Sequence, residues 1–149
     1  MGYRDLQDYI DELSRRRLLQ VIDEPVCKDT ELMPLVRLQF RGLPEAQRKA
    51  FWFRKVTDAR RRHFDASVVV GALGSSRAIY AAALGVEPDG IAAAWTRAHG
   101  HHVPPRVIEP DSAPVKRIIR RAPQLGDGID SFPHVISTPG FDPAPFITA

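Results

Sequence analysis

The residues best equipped for chemistry form a tight cluster, His99-Gly-His-His102. Neutral imidazoles ligate zinc, copper or nickel, and a cluster this close could place two rings on one ion. No cysteine or second histidine pair follows at a finger-like spacing, and the nearest acid downstream is Glu109. A solvated loop at a helix end is therefore the favoured reading. His63, next to Arg60-Arg-Arg62, and His134, next to Pro133, stand alone and read as structural. The second candidate is Gly71-Ala-Leu-Gly74-Ser-Ser, between a valine-rich run and an alanine-rich one. Backbone amides at such a helix start can cradle phosphate. The spacing is neither that of a P-loop nor that of a dinucleotide fingerprint. Ser75 or Ser76 more simply caps the helix, with Gly74 making the turn.

Arg37 to His63 is locally basic, holding Arg37, Arg41, Arg48, Lys49, Arg54, Lys55 and Arg60 to Arg62 against Glu45 and Asp58. With Phe51, Trp52 and Phe53 interleaved, it could present a surface to single-stranded nucleic acid. No recognised nucleic-acid signature accompanies the charge, so the favoured reading packs the aromatics in a strand and lets the arginines solvate its flanks or pair elsewhere. Neither a nucleophile elbow nor any other catalytic set is apparent. Cys27 has no sequence neighbour that would depress its pKa.

The elements that must position these groups follow from periodicity. Tyr3 to Leu19 reads as an amphipathic helix with Leu6, Tyr9, Ile10, Leu13 and the stem of Arg17 on one face. Asp5 and Asp8 near its start and Arg15 to Arg17 near its end suit the helix dipole. Leu18 to Asp23 reads as a short strand ending before Pro25. A second helix begins at Thr30 as N-cap, turns Leu32, Leu35, Val36 and Phe40 inward, and stops at Gly42. Phe51 to Val56 and Ala66 to Gly71 are the next strands. A helix from Ser76 to Leu84 is closed by Gly85, and another opens at Pro88. The order is that of a small mixed α/β layer with one modest sheet flanked by helices.

Composition changes after His99, because nine of the 13 prolines fall between Pro104 and Pro145. Helices do not run through that density, so turns and extended segments must dominate, with Ala113 to Ile119 as one expected strand and Asp127-Gly-Ile-Asp as a turn. Ile118, Ile119, Leu125, Ile129, Phe132, Val135, Ile136, Phe141, Phe146 and Ile147 make this tail too apolar for a linker, so burial against something is expected. The expected division is an α/β domain over 1–103 and a proline-rich extended segment over 104–149. At 149 residues and a formal charge of +3, with 44% hydrophobic and 26% charged residues, the chain has the balance of a folded globular domain. One cysteine excludes an internal disulfide, and neither a bilayer-spanning run nor a leader is seen. A soluble, cytoplasmic protein is expected.

The order of motifs adds a resemblance. Tyr3-Arg-Asp-Leu-Gln-Asp-Tyr-Ile resembles the opening "LRDFI" helix of the UbiD-type (3-polyprenyl-4-hydroxybenzoate) decarboxylases. Leu18-Leu-Gln-Val-Ile-Asp-Glu-Pro-Val with Thr30-Glu-Leu resembles the strand and helix that follow there. Phe51-Trp-Phe-Arg-Lys-Val and Val68-Val-Val-Gly-Ala-Leu-Gly-Ser-Ser-Arg are similar to the family's next two strands and turn. Pro105-Arg-Val-Ile with Ala113-Pro-Val-Lys, and the run from Ile129-Asp-Ser-Phe-Pro to Pro145-Phe-Ile-Thr148, resemble its entry into a split-barrel flavin domain.

This resemblance implies a carboxy-lyase family acting on aromatic or α,β-unsaturated acids with prenylated FMN, held with manganese and potassium. It also implies that the cofactor, metal and catalytic residues lie after the segment ending at Thr148-Ala149. No catalytic, cofactor-binding or metal-binding role passes to a residue here, and His134 is not the family's metal ligand. The expectation is an N-terminal domain or subunit, inactive alone, partnered by the remaining decarboxylase domain or a larger companion subunit and oligomeric. The alternatives are a non-catalytic interaction or regulatory subunit and a basic nucleic-acid-binding module.

Overall fold

The computed structural model describes residues 2–119, 121, 123, 124, 126 and 128–136. Helix α1 spans Leu6–Arg15, shorter at both ends than the periodicity predicts. Asp5 is its N-cap, with a carboxylate accepting from the Asp8 amide at 2.9 Å. The chain leaves the helix through Arg17 at φ 60, a left-handed turn that takes this side chain off the helical face. Tyr9, Ile10 and Leu13 are buried as expected, whereas Leu6 is exposed.

Strand β1, Leu19–Cys27, does not stop before Pro25 but runs through it. Its pairing with β2 (Ala50–Thr57) is parallel and slips between Ile22 and Pro25. Among the described residues β1 pairs only with β2, and an edge strand with an irregularity tolerates a proline because no ladder donor is needed there. Helix α2, Leu32–Gly42, makes the crossover that a parallel pair requires. Its N-cap is Glu31 rather than Thr30, and Glu31 instead accepts the Cys27 amide at 2.8 Å. Leu32 and Val36 face inward as expected, but Leu35 and Phe40 do not, and Gln39 is the buried residue of the third turn.

The far side of β2 is shared by two antiparallel strands, β3 (His63–Phe64) and β4 (Val68–Val70). The two-residue β3 has no counterpart in the periodicity, since so short a pairing leaves no alternation to read. Helix α3, Arg77–Leu84, is capped by Ser76 and closed by Gly85 at φ 66. Helix α4, Ile91–Gly100, follows a turn of 3-10 helix at Pro88–Gly90. The result is a four-stranded mixed sheet flanked by helices, an α/β fold.

Register separates the core into two regions. Ile22, Phe53 and Val68 are paired across three strands, so their side chains share one face; there Phe53 and Val56 pack with Leu32 and Val36 of α2. Leu19 and Ala50 share the opposite face, where Ala50 meets Tyr9 and Leu13 of α1 and Ile79 and Ala82 of α3. Tyr3 and Tyr9 fasten α1 to α3 by donating to the Ala82 carbonyl at 2.7 Å and the Ile79 carbonyl at 3.0 Å.

Beyond α4 the expected strand at Ala113 to Ile119 is absent. Turns of 3-10 helix occupy Pro110–Ser112 and Pro114–Lys116, because prolines at the first helical position preset φ and supply no ladder donor. The expectation of a buried tail holds only in part. Ile118, Ile119 and Phe132 are exposed, while Pro133 is buried and Val135 packs against the α2 side of the core. Leu125, Phe141, Phe146, Ile147 and Thr148 lie outside the described residues. Among the described residues no helix is long and apolar enough to cross a membrane.

Candidate functional site

The turn before α3 is closed by its own side chains. Gly71 sits at φ 77, and a Cβ there would come within 2.1 Å of the Ser75 hydroxyl oxygen, so glycine makes room for a serine rather than for a ligand. The Ser75 amide donates to the Gly71 carbonyl at 3.2 Å, and Ser76 accepts from the Ile79 amide at 3.3 Å. The Arg77 amide donates to the Glu45 carboxylate at 2.6 Å. An internal carboxylate thus already stands at the positive end of α3, where a phosphate would have to sit. The adjoining hollow, about 380 Å³, is lined by Glu45, Arg48, Ser76, Arg77 and Tyr80 among others. Capping, the simpler of the two sequence readings, is what the structure shows.

Below this turn Gln39 performs a task no sequence pattern signals. Its amide accepts from the Lys49 amide at 2.9 Å and donates to the Lys49 carbonyl at 3.0 Å, taking the place of a neighbouring strand. The same nitrogen lies 3.4 Å from the Ser75 hydroxyl, which joins α2 to the Gly71 turn.

A second polar group gathers where β1 and β2 end together. Lys28 is buried, with its ammonium 2.6 Å from the Asp29 carboxylate and 6.0 Å from the centre of the Phe64 ring. Asp29 also accepts from the Ala59 amide at 3.0 Å. Asp58 accepts from the amides of Arg60 and Arg62, each at 2.9 Å, and pairs with the Arg62 guanidinium at 3.3 Å. The Arg62 amide is the chief reason its carboxyl is held below the usual range. Arg62 reaches onward to the Asp130 carbonyl at 2.7 Å, and the Asp130 carboxylate lies 3.4 Å from Nε2 of His134. Nδ1 of His134 is buried without a hydrogen-bond partner among the described residues. The arrangement can hold the 128–136 segment against the sheet. It contains no nucleophile beside a base, which covalent catalysis would need.

The histidines singled out by sequence are not brought together. His63 is exposed on β3, and His134 sits with Asp130. His99 and His101 each turn Nδ1 toward a carbonyl one helical turn back, Trp95 and Arg97, at 3.0 Å. They finish α4 as a solvated helix end. Among the described residues no group of three or more His, Cys, Asp or Glu could hold a metal.

Three arginines of the basic stretch lie over rings of this chain. Arg54 covers Trp52 at 4.6 Å, Arg48 covers Phe40 at 5.2 Å and Arg62 covers Phe64 at 4.7 Å. Phe51 and Phe53 stack on each other at 5.8 Å within the sheet. These ring faces are engaged by the chain's own groups, as the packing interpretation of Arg37 to His63 expects. Cys27 is free and half-buried.

A phosphate-bearing flavin and a divalent metal require amide cradles and clustered anionic or imidazole ligands. Among the described residues no group of three or more His, Cys, Asp or Glu could hold the metal, and the glycine-bearing turn before α3 already has Glu45 at its amides, so neither fits these groups.

Comparison with known proteins places this fold. A comparison with curated proteins gives no match. The family model for the 3-octaprenyl-4-hydroxybenzoate carboxy-lyase N-terminal domain matches residues 10–98. That span runs from within α1 to near the end of α4 and takes in every strand described. The similar motifs after Pro105 lie outside it. With well over half of its length matched, the chain belongs to the family of 3-octaprenyl-4-hydroxybenzoate carboxy-lyase N-terminal domains.

Proposed function

We infer that this chain is the N-terminal domain, or a separately encoded N-terminal subunit, of a UbiD-like decarboxylase acting on aromatic or α,β-unsaturated carboxylic acids. The family match over residues 10–98 carries this reading. In it, prenylated FMN with manganese and potassium belongs to a companion domain or larger subunit, where the flavin supplies the electron sink for loss of CO₂. The α/β unit over 1–103 serves as scaffold, and the segment over 104–149 leads toward that companion. The contacts of Arg62 and His134 with Asp130, and of Val135 with the core, support the scaffold part of this reading, since they tie the 128–136 segment to the α/β unit. No step of the reaction is assigned to a residue of this chain.

The test is direct. The chain is incubated with prenylated FMN, manganese, potassium and a cinnamic-acid-type substrate, and CO₂ release and flavin retention are followed. No release and no retained flavin are expected. Turnover by the isolated chain would overturn the assignment of catalysis to a companion.

A further inference from the structure

The segment over 128–136 carries its own bracing. The Ser131 hydroxyl donates to the Gly128 carbonyl at 2.8 Å, and the His134 amide donates to the Phe132 carbonyl at 2.9 Å. Nε2 of His134 lies 3.4 Å from the Asp130 carboxylate, one turn back. Its ties to the α/β unit run through Arg62, which donates to the Asp130 carbonyl at 2.7 Å, and through Val135, which packs on the α2 side of the core. No described residue between α4 and Gly128 is buried, so that stretch adds nothing to hold the segment down.

Closure also has an opposing term. Nδ1 of His134 is buried without a hydrogen-bond partner among the described residues, and a polar nitrogen in that state forgoes a bond that water would give it. Opening hydrates it. The Asp130 carbonyl likewise passes to water. Arg62, once released, still has the Asp58 carboxylate at 3.3 Å and covers the Phe64 ring at 4.7 Å. Each polar group of the tie therefore keeps or gains a partner in the open state.

We propose that 128–136 is a latch, a pre-shaped strap that lifts from the sheet as a unit while the α/β core stays folded. Arg62 holds it closed, and the unpaired Nδ1 of His134 favours the open state. Independent opening of this kind needs few buried contacts and polar ties that water can replace, and the strap has both. Opening bares the spot where Val135 packs on the core, so the latch sets whether this chain itself covers that apolar spot. It rests on these contacts and not on the function proposed above.

The experiment follows the full chain by NMR, with isotope labels in its valine methyls and backbone amides. The Val135 methyls report the strap, and those of the buried Val36 and Val56 report the core. Arg62→Gln raises the open population at least about tenfold, as loss of a hydrogen bond from a charged donor requires. Val135 then moves toward its unfolded shift while Val36 and Val56 keep theirs, which also shows that the variant is folded. Arg62→Lys keeps the charge beside Asp58 but loses the fork that serves two acceptors at once, and it moves Val135 the same way by less. His134→Leu acts in the opposite direction and lowers the open population. The unpaired nitrogen is gone, and the lost pair with Asp130, whose carboxylate is 65% exposed, contributes little. Val135 shifts unmoved by both Arg62 substitutions, or a strap opened by His134→Leu as far as by Arg62→Gln, overturn the proposal. So does exchange of Val56 in step with Val135, since the strap would then open only when the domain unfolds.

Discussion

Tyr9 allows two independent numbers to be drawn from one substitution. Its ring is buried between α1 and α3, and its hydroxyl lies 2.5 Å from the Ala72 carbonyl oxygen and 3.0 Å from that of Ile79. Tyr9→Phe removes the donor and leaves the space filled. The expected loss near neutral pH is about 1–2 kcal/mol, because acceptors inside the fold lose their proton. Burial, reinforced by Tyr3, also pushes the Tyr9 phenol up to about 12 from its ordinary 10.0. The folded state therefore keeps this proton while the unfolded chain gives it up. Stability from the neutral phenol is fully present below the unfolded pKa and is lost as pH rises through the folded one. At about 1.4 kcal/mol per unit, the wild type loses about 1.4 kcal/mol between about pH 9 and pH 11 that the phenylalanine variant keeps. Urea denaturation of both proteins across this range should show the difference between them shrinking toward zero near pH 11. A difference independent of pH would refute the buried, protonated phenol and its place as the tie between α1 and α3.

Gln39→Leu leaves both polar groups of the Lys49 backbone without their partner and should lower stability by about 2–4 kcal/mol, read from the urea midpoint. Gly71→Ala should lower it by at least about 2 kcal/mol, through a left-handed residue gaining a Cβ against the buried Ser75 hydroxyl. Both act through Ser75, so the double variant should be less destabilised than the two effects added together. Asp58 has a depressed carboxyl, so its contribution is present above the ordinary carboxylate range and is lost as pH falls through the folded value. Asp58→Asn should flatten the acid limb of the stability profile without moving the alkaline limb, and an unchanged acid limb would contradict the turn geometry.

The legible parts of the fold were those encoded by one residue acting locally. Ser76 and Gly85 mark the ends of α3 because a hydroxyl cap and a left-handed glycine do the same work in any helix. Tyr9, Ile10 and Leu13 follow the helical period into the core. The illegible parts depended on neighbours. Pro25 breaks an interior strand but not an edge, and sequence does not say which β1 is. Leu35 and Phe40 were expected inside α2, but the third turn faces the backbone of Lys49, so a glutamine that satisfies two polar groups replaces an apolar residue. Around the candidate site, the Gly71 turn was readable as a cap. Glu45 was not, since it reaches Arg77 from 32 residues earlier. Arg62 likewise reaches Asp130, 68 residues on, only because the segment returns to the sheet.

The central claim is that this domain works as one part of a larger decarboxylase. Isolation of the native complex through this chain, with intact masses and near-ultraviolet and visible absorbance recorded together, tests it most directly. A larger co-purifying polypeptide with a flavin-like spectrum is the predicted result. A lone, colourless species of 16.6 kDa would contradict it.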